Sequence, residues 1–312
     1  MKCNILITGG AGFIGSCLAE RLAKDPNNNI VIVDNLVTGN ISKIPVSEHG
    51  NLRFIKADVN SFKDISGIFY SGNFDYVFHY AALVGVSRTL AHPVMVLNDI
   101  LGIKNVLNLS KNAGVKRVFY SSSSEVYGEP VEMPQNEHTT PLNSRLPYAI
   151  VKNVGEAYLR SFKKEYGLSF TIFRFFNTYG PRQSKDFVMS RFMEAALTGR
   201  DLEVYGDGSQ SRTFCHVHDN VDACVAAFQN NLFVDDIVNI GNDRETTIVE
   251  LAKMILEITG SNSRIVHLPP LKEGDMTRRK PDITKMKQLL GRDLVKLEKG
   301  IGDLMRDTHY FV

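Results

Sequence analysis

Residues 4–15 read NILITGGAGFIG, and this short segment determines which fold the chain can adopt. The apolar run Asn4–Thr8 predicts a buried strand, and Gly12–Lys24, with apolar residues at helical spacing, predicts a helix directly after it. In such a strand–loop–helix unit the first glycine permits a tight turn, the second lets the backbone approach a pyrophosphate, and the third lets the helix pack close to the sheet. The helix N-terminus also offers free N–H groups to phosphates. The segment therefore predicts a dinucleotide-binding loop made by Gly9, Gly12, Phe13, Ile14 and Gly15.

The next predicted strand supports this interpretation, because it ends on an acidic residue. Ile30–Val33 is a β-branched run, and Asp34 follows it about 20 residues after Gly15. A carboxylate at this place accepts hydrogen bonds from ribose hydroxyls and repels a 2′-phosphate, which favours NAD over NADP. We therefore predict NAD as the cofactor, with Asp34 and Asn35 among the residues that bind it.

Short apolar strands alternate with helical patterns through the first two thirds of the chain. Such alternation predicts βαβ units and a parallel sheet. Glycine and proline loops become denser after Gly180. The predicted fold is a Rossmann-type, doubly wound α/β sheet over residues 1–180, with a smaller α/β substrate lobe over residues 181–312 that interleaves with it. The further predicted strands are Leu52–Ala57, Tyr76–Tyr80, Val115–Tyr120 and Ser169–Phe175, and the longest predicted helices are Asn98–Asn112, Tyr148–Tyr166 and Thr247–Thr259.

Composition excludes several other classes of protein. The 312 residues carry 36 Lys and Arg against 34 Asp and Glu, a formal net charge of +2. This balance argues against a nucleic-acid groove or a polybasic membrane patch. The four cysteines form no CxxC pair, so we expect reduced thiols in a cytoplasmic protein and no structural metal. No apolar run reaches the roughly 18 residues of a membrane helix.

Tyr148 and Lys152 are candidates for acid–base chemistry, because residues four apart lie on one face of a helix. A free tyrosine has a pKa of about 10 and is a poor base at neutral pH. A neighbouring ammonium, together with the positive nicotinamide of NAD⁺, is expected to lower that pKa. The phenolate can then take a hydroxyl proton while hydride leaves for the cofactor.

Several motifs together resemble one known superfamily. They are the glycines at 9, 12 and 15, the Tyr148-x-x-x-Lys152 pair, SSSSEVYG at 121–128, HYAA at 79–82, NTYGP at 177–181 and GSQSRTF at 208–214. The chain resembles the extended short-chain dehydrogenase/reductases, and within them the nucleotide-sugar epimerase, dehydratase and decarboxylase branch. The likeness covers essentially the whole chain.

The resemblance implies roles for further residues. Ser123 is the third member of the catalytic triad with Tyr148 and Lys152, and Lys152 also contacts the cofactor. Asp58 and Val59 bind the adenine end, and Ala81 and Ala82 line the dinucleotide. The resemblance implies a UDP-sugar substrate, for which the matching positions are Ser124, Asn177, Arg212 and Arg279. Asn177 and Arg212 match positions that grip the diphosphate, which suits the planar fork of an arginine.

The resemblance also limits the reaction. In this branch the sugar is first oxidised at C4, and the ketone acidifies the proton at C5. Dehydratases of the family carry an Asp-Glu pair where this chain has Ser124-Glu125. Ser-Glu, together with Arg279-Lys280-Pro281-Asp282, resembles the UDP-glucuronate decarboxylases. There Glu125 is catalytic, and Arg279 faces the sugar ring, where it donates a proton or binds phosphates. We therefore expect C4 oxidation followed by decarboxylation or dehydration-type chemistry at C5 and C6.

Two alternatives remain open at this stage. The loop Leu83–Arg88 looks more like that of the 4-epimerases, so a UDP-hexose 4-epimerase is one alternative. A non-catalytic, NAD-binding regulatory protein is the other, because a fold does not fix a function. Ser87, Arg88 and Phe187–Arg191 are expected to set substrate size.

The resemblance implies a homodimer as well. In this branch the helices predicted at Asn98–Asn112 and Tyr148–Tyr166 form a four-helix bundle with a second copy.

Overall fold

The structure, a computed structural model, describes residues 2–270 and 278–306. Its strands are β1 (Cys3–Thr8), β2 (Asn28–Asp34), β3 (Leu52–Lys56), β4 (Tyr76–His79), β5 (Arg117–Ser123), β6 (Ser169–Phe175), β7 (Thr178–Tyr179), β8 (Leu202–Tyr205), β9 (Ser211–Thr213), β10 (Cys215–His216), β11 (Asp236–Ile240), β12 (Glu245–Thr247) and β13 (Ile265–Leu268). Its α-helices are α1 (Phe13–Ala23), α2 (Phe62–Gly72), α3 (Val86–Ala91), α4 (Pro93–Leu97), α5 (Asp99–Asn112), α6 (Pro147–Tyr166), α7 (Val188–Leu197), α8 (Val217–Gln229), α9 (Ile248–Thr259), α10 (Thr284–Leu290) and α11 (Leu297–Arg306).

A parallel seven-stranded sheet forms the centre, in the order β11-β6-β5-β4-β1-β2-β3. The predicted Rossmann-type α/β fold is confirmed. The chain order reverses between β1 and β4, and in such sheets ligands bind outside the carboxyl ends of the strands at this reversal. Thr8, at the end of β1, pairs with both Val33 and His79, so the loops after β1, β2 and β4 start side by side.

The strands are buried on both faces, which explains their apolar runs without alternation. Ile5 and Ile7 of β1 belong to an apolar layer with residues of α1, α8 and α10. Leu6, between them, points into the opposite layer with residues of α2, α5 and α6. The two layers hold the carboxyl edge of the sheet as a rigid platform for the loops above it.

A smaller apolar cluster holds the second part of the molecule together. It joins residues of α7, β8, α9 and α11, among them Met193, Val204, Leu251 and Ile301. However, β11 and α8, which also follow residue 180, join the central sheet and the layer beside α1. The division into 1–180 and 181–312 stays a prediction.

Two observations bear on the surroundings of the protein. Among the helices of the described ranges, none combines the length and the apolar composition needed to cross a bilayer. The cysteines at positions 3, 17, 215 and 224 are all free thiols, and the last three are buried.

Candidate active site

A cavity of about 780 Å³ lies at the carboxyl edge of the sheet, above the point where the strand order reverses. Its walls come from the loops after β1, β2, β3, β4 and β5, from the start of α6, and from the second part of the chain. Nearly all the site residues predicted from the sequence line it: Gly9, Gly12, Phe13, Ile14, Gly15, Asp34, Asn35, Asp58, Val59, Ala81, Ala82, Ser123, Ser124, Glu125, Tyr148, Lys152, Asn177, Arg212 and Arg279.

The glycine loop is built too tightly to accept side chains. Gly9 has a φ of +71°, and a Cβ there would lie 2.6 Å from the backbone nitrogen of Ala81. A Cβ on Gly15 would lie 2.3 Å from the carbonyl oxygen of Gly9. The loop therefore brings the N-terminus of α1 close to the strand edge. Its first turn borders the cavity, where the free N–H groups of a helix N-terminus can hold phosphates.

The Asp34 carboxylate accepts two backbone hydrogen bonds that the sequence did not predict. Its Oδ2 accepts a hydrogen bond from the N–H of Ala11 at 3.0 Å, and its Oδ1 accepts one from the N–H of Leu36 at 2.8 Å. Burial raises the pKa of Asp34, against these hydrogen bonds, which lower it. The carboxylate thus ties the glycine loop to the loop after β2, in addition to the predicted contact with a ribose.

A second carboxylate, that of Asp58, lies where the sequence predicts the adenine end of the cofactor. Asp58 accepts a hydrogen bond from the Asn35 side chain at 3.2 Å and from the N–H of Asn60 at 2.8 Å. Asp58 follows β3 and Asn35 follows β2, so this contact fixes two neighbouring loops at the edge of the cavity.

Lys152 is buried behind the predicted catalytic tyrosine. Its Nζ donates to the Ser121 carbonyl oxygen at 2.7 Å and lies 5.6 Å from the centre of the Tyr148 ring. Burial lowers the pKa of Lys152 to about 8, and the negative charge of Asp99 opposes this shift. The Asp99 carboxylate is itself held by the N–H of Leu83, at 2.7 Å.

The protein's own groups raise the pKa of Tyr148, so the predicted lowering of that pKa depends on the positive charge of NAD⁺. Burial raises the pKa of Tyr148 above its usual value, and the charges of Glu125 and Asp99 add to the rise, while a hydrogen bond with Ser123 and the charge of Arg279 lower it. The protein's own groups therefore keep this phenol protonated. The physical reason is desolvation, which acts on a buried phenolate more strongly than the nearby cations do.

Glu125 and Arg279 meet in the cavity although 154 positions separate them in the chain. Arg279 Nη2 lies 3.4 Å from Glu125 Oε1, and only 7% of the Arg279 side chain is exposed. The Arg279 Nε is buried and has no hydrogen-bond partner within residues 2–270 and 278–306. Ser123, the neighbour of this pair, accepts a hydrogen bond from the Glu125 N–H at 3.2 Å.

Asn177 and Arg212 line the same cavity. Asn177 has a φ of +26°, and its side-chain Nδ2 is buried without a partner among the described residues. Arg212 is buried and donates from Nη1 to the Ser211 carbonyl oxygen at 2.8 Å. A buried amide donor that the protein leaves unsatisfied costs free energy, which points to a polar ligand at this place.

The segments expected to set substrate size border the cavity as well. Phe187, Val188, Met189 and Arg191 line it, and Arg88 reaches across to Asp186, with Nη2 3.2 Å from Oδ2. The Ser87 side chain lies outside the described part of the structure.

Sequence reasoning missed Asp99 and a buried ion pair beside the site. Glu156 of α6 accepts from Ser122 at 2.7 Å and makes two hydrogen bonds with Arg174 of β6, at 2.8 and 2.7 Å. Glu156 lies one helical turn after Lys152, and that spacing was the one available signal.

Three comparisons relate this geometry to known proteins. The sequence model of the NAD dependent epimerase/dehydratase family matches residues 5–241. The chain is 36% identical to UDP-glucuronic acid decarboxylase 1 of Xenopus tropicalis, over 99% of this chain and 72% of that protein. It is 38% identical to UDP-N-acetyl-alpha-D-glucosaminuronate decarboxylase of Bacillus cytotoxicus, over 93% of this chain and 92% of that protein. The structure is similar to UDP-glucose 4-epimerase of Thermotoga maritima, solved with UDP-glucose, with a TM-score of 0.90, 35% identity and 96% of each chain covered.

Proposed function

The chain belongs to the NAD-dependent epimerase/dehydratase family and is an NAD-dependent enzyme, and we propose that it oxidises a UDP-sugar at C4 and then decarboxylates it at C5. The cofactor fits the site, because the glycine loop leaves no room for a Cβ beside the N-terminus of α1. Gly9, Gly12, Phe13, Ile14 and Gly15 would hold its phosphates, Asp34 and Asn35 the adenosine ribose, Asp58 and Val59 the adenine, and Ala81, Ala82 and Lys152 the nicotinamide half. When bound there, NAD would supply the hydride acceptor for oxidation at C4 and the hydride for the final reduction.

The chain's own residues handle the proton at C4. Tyr148 takes the proton of the C4 hydroxyl, and Ser123 orients both groups. Because burial raises the Tyr148 pKa, the positive charges of Lys152 and of oxidised NAD have to compensate for desolvation when the phenolate forms. This requirement couples deprotonation to the presence of the oxidised cofactor.

The Glu125–Arg279 pair is the observation that carries the second step. Glu125 and Arg279 line the same cavity as Tyr148, and Arg279 Nη2 lies 3.4 Å from Glu125 Oε1. A ketone at C4 makes a C5 carboxylate a β-keto acid. Loss of CO₂ breaks the C5–C6 bond and leaves its electron pair in an enolate, and one proton then adds to C5. Arg279 binds the anionic substrate, and Glu125 takes up a proton from solvent and passes it to C5, where it replaces the CO₂ that leaves.

The substrate's diphosphate is assigned to Asn177 and Arg212, and its sugar to Ser124. The free donor of Asn177 and the buried guanidinium of Arg212 support this assignment. A fork-shaped guanidinium matches two phosphate oxygens at once.

UDP-hexose 4-epimerisation is the second candidate function. The similarity to a UDP-glucose 4-epimerase, at a TM-score of 0.90, favours it. That reaction needs the same C4 oxidation but neither proton transfer nor bond cleavage at C5.

The two functions are separated by incubating the purified enzyme with a panel of UDP-sugars in D₂O. Decarboxylation predicts deuterium at C5 of the product. Inversion at C4 without exchange at C5 contradicts the proposal and selects the epimerase.

We further propose a cytoplasmic homodimer. The free thiols support a reducing compartment. Helices α4, α5 and α6 carry exposed apolar side chains, among them Val94, Leu101 and Ile150, which are 72%, 54% and 41% exposed. A second copy packed there as a four-helix bundle would cover them.

A further inference from the structure

Glu245 opens β12, which runs antiparallel to β9 in the second part of the chain. Glu245 pairs with Thr213 and Thr246 pairs with Arg212, so Glu245 lies beside the strand that carries Arg212, one of the arginines that line the cavity. Its carboxylate accepts a hydrogen bond from the Ser211 hydroxyl at 3.0 Å. The side chain of the residue just before Arg212 is therefore fixed by Glu245.

The same carboxylate holds a second, distant segment. Arg278 donates from Nε to Oε1 at 3.0 Å and from Nη2 to Oε2 at 2.8 Å, which is a bidentate contact. Lys280 Nζ lies 3.8 Å from Oε2. Arg278 and Lys280 are the two chain neighbours of Arg279, which also lines the cavity.

Glu245 is thus shared by the backbone segments of Arg212 and Arg279. Both arginines are less than 9% exposed and line the cavity. Burial raises the pKa of Glu245, but the hydrogen bonds from Arg278 and Ser211 outweigh it and bring that pKa below its usual value. The carboxylate stays charged at neutral pH, and 23% of its side chain is exposed.

The second segment is also anchored on its far side. The Lys280 carbonyl oxygen accepts a hydrogen bond from the N–H of Gln135 at 2.7 Å. Arg279 therefore lies between two anchors, and Glu245 is the one that also reaches the strand of Arg212.

We propose that Glu245 is a positioning residue that sets Arg212 and Arg279 relative to each other, and so links recognition of the substrate's diphosphate to recognition of its sugar. The inference rests on the proposed function, in which Arg212 binds the diphosphate and Arg279 the sugar end. A single carboxylate that anchors the chain segments of both arginines, through Ser211 and Arg278, would preorganise the site for a nucleotide sugar and so lower the ordering cost of binding.

Calorimetric titration with UDP and with UDP-glucuronate tests the proposal, on enzyme loaded with NADH so that UDP-glucuronate binds without being oxidised. Glu245→Ala removes every contact, and Glu245→Gln keeps an acceptor for Ser211 but removes the charge. We expect Glu245→Ala to weaken binding of both ligands by about tenfold, the scale of one charge-assisted hydrogen bond. Glu245→Gln should fall between Glu245→Ala and the native enzyme.

The control is Asp201→Asn. Asp201 pairs with Arg264 in the same part of the chain, with Oδ2 2.8 Å from Nη2, and neither residue lines the cavity. This variant should bind both ligands like the native enzyme, although it loses an ion pair of similar geometry.

A double-mutant cycle separates positioning from general stability. If Glu245 acts through Arg212, removing Glu245 should weaken UDP binding much less in an Arg212→Ala background than in the native enzyme. The inference about Glu245 is contradicted if the Glu245 variants bind both ligands like the native enzyme, or if the losses in the cycle are fully additive. Either result leaves the proposed function intact. Failure of the native enzyme to bind UDP contradicts the proposed function and this inference with it.

Discussion

Tyr148 lies one helical turn before Lys152, and its hydroxyl is the group to which the proposed reaction assigns the first proton transfer. The predicted placement of the pair on α6 comes from spacing alone, because residues four apart face the same way. The pKa of Tyr148 could not be predicted from spacing in the sequence. It depends on Glu125, Asp99 and Arg279, which reach it from three other segments of the chain.

Replacing Tyr148 by Phe removes the proton acceptor and leaves the ring in place. We expect turnover to fall by at least about 100-fold, the usual contribution of a positioned acid–base group, while bound NAD is retained. Stopped assays of turnover, together with nucleotide analysis of the denatured protein, measure both quantities. Tyr158→Phe, on the same helix, is the matched control and should keep native turnover. Unchanged turnover in Tyr148→Phe would remove this residue from the mechanism.

Asp99 provides the pH prediction. Burial lowers the Lys152 pKa to about 8, and Asp99 raises it again. A catalytic ammonium is present below its pKa, so activity that needs Lys152 charged should fall as the pH rises through that value. The Asp99→Asn variant loses the charge that favours the ammonium, and this fall should move to lower pH. The pH dependence of kcat/KM for the native enzyme and the variant measures this shift. If kcat/KM of Asp99→Asn falls at the same pH or at a higher pH, Asp99 does not raise the pKa of Lys152.

At the scale of elements, sequence patterns predicted six of the seven strands of the central sheet and missed β11, and they did not predict the short strands outside it. Ser169–Phe175 was predicted with the bounds that the structure gives, because it is rich in the aromatic and β-branched residues that favour strands. Helix α2 was not predicted, because Gly67 and Gly72 weaken its helical signal. Strands β9 and β12 have three residues each, too few to show a two-residue period. Long-range contacts such as that of Glu245 with Arg278 could not be predicted, because no local sequence pattern indicates them.

The Glu156–Arg174 ion pair joins α6 to β6 directly beneath the catalytic residues, and both side chains are at most 1% exposed. Glu156→Gln leaves the Arg174 charge buried without its counter-charge. We expect a loss of about 3–5 kcal/mol in the free energy of unfolding, measured by urea denaturation. Glu165→Gln, at an exposed position of α6, should change it by less than about 0.5 kcal/mol. Equal effects of the two substitutions would show that the buried pair does not hold the helix on the sheet.

The exposed apolar side chains of α5 and α6 lead to a prediction about assembly. Leu101→Glu and Ile150→Glu together would place two charges in the proposed four-helix bundle, and we expect the dimer to dissociate. Sedimentation velocity of native and variant protein measures the change. Val46→Glu, at a side chain that is 96% exposed in a loop, should leave the assembly unchanged. A native protein that sediments as a monomer at micromolar concentration would rule out the dimer.

For the whole molecule, the near-neutral composition and the cavity at the carboxyl edge of the sheet are consistent with each other. The described cavity brings together the glycine loop, the Tyr148–Lys152 pair and the Glu125–Arg279 pair at one edge of one sheet. In the proposed function, the N-terminus of α1 and a few arginines supply local positive charge for the anionic groups of the ligands. A net charge of +2 for the whole chain is therefore sufficient for binding them. The glycine loop and Asp34 were predicted from the strand and helix pattern, and Tyr148 and Lys152 from their spacing. The other predicted residues that line this edge came from the family resemblance. How the two halves of the site are coupled follows from long-range contacts that only the three-dimensional structure shows.

The proposed reaction sequence is tested by one labelling measurement on the NAD-loaded enzyme. UDP-glucuronate carrying ¹³C at C6 is incubated with the enzyme, and the gas phase and the nucleotide sugars are analysed together. Decarboxylation after C4 oxidation predicts one ¹³CO₂ for each UDP-pentose formed. Conversion to the 4-epimer with all ¹³C retained in the sugar would contradict it.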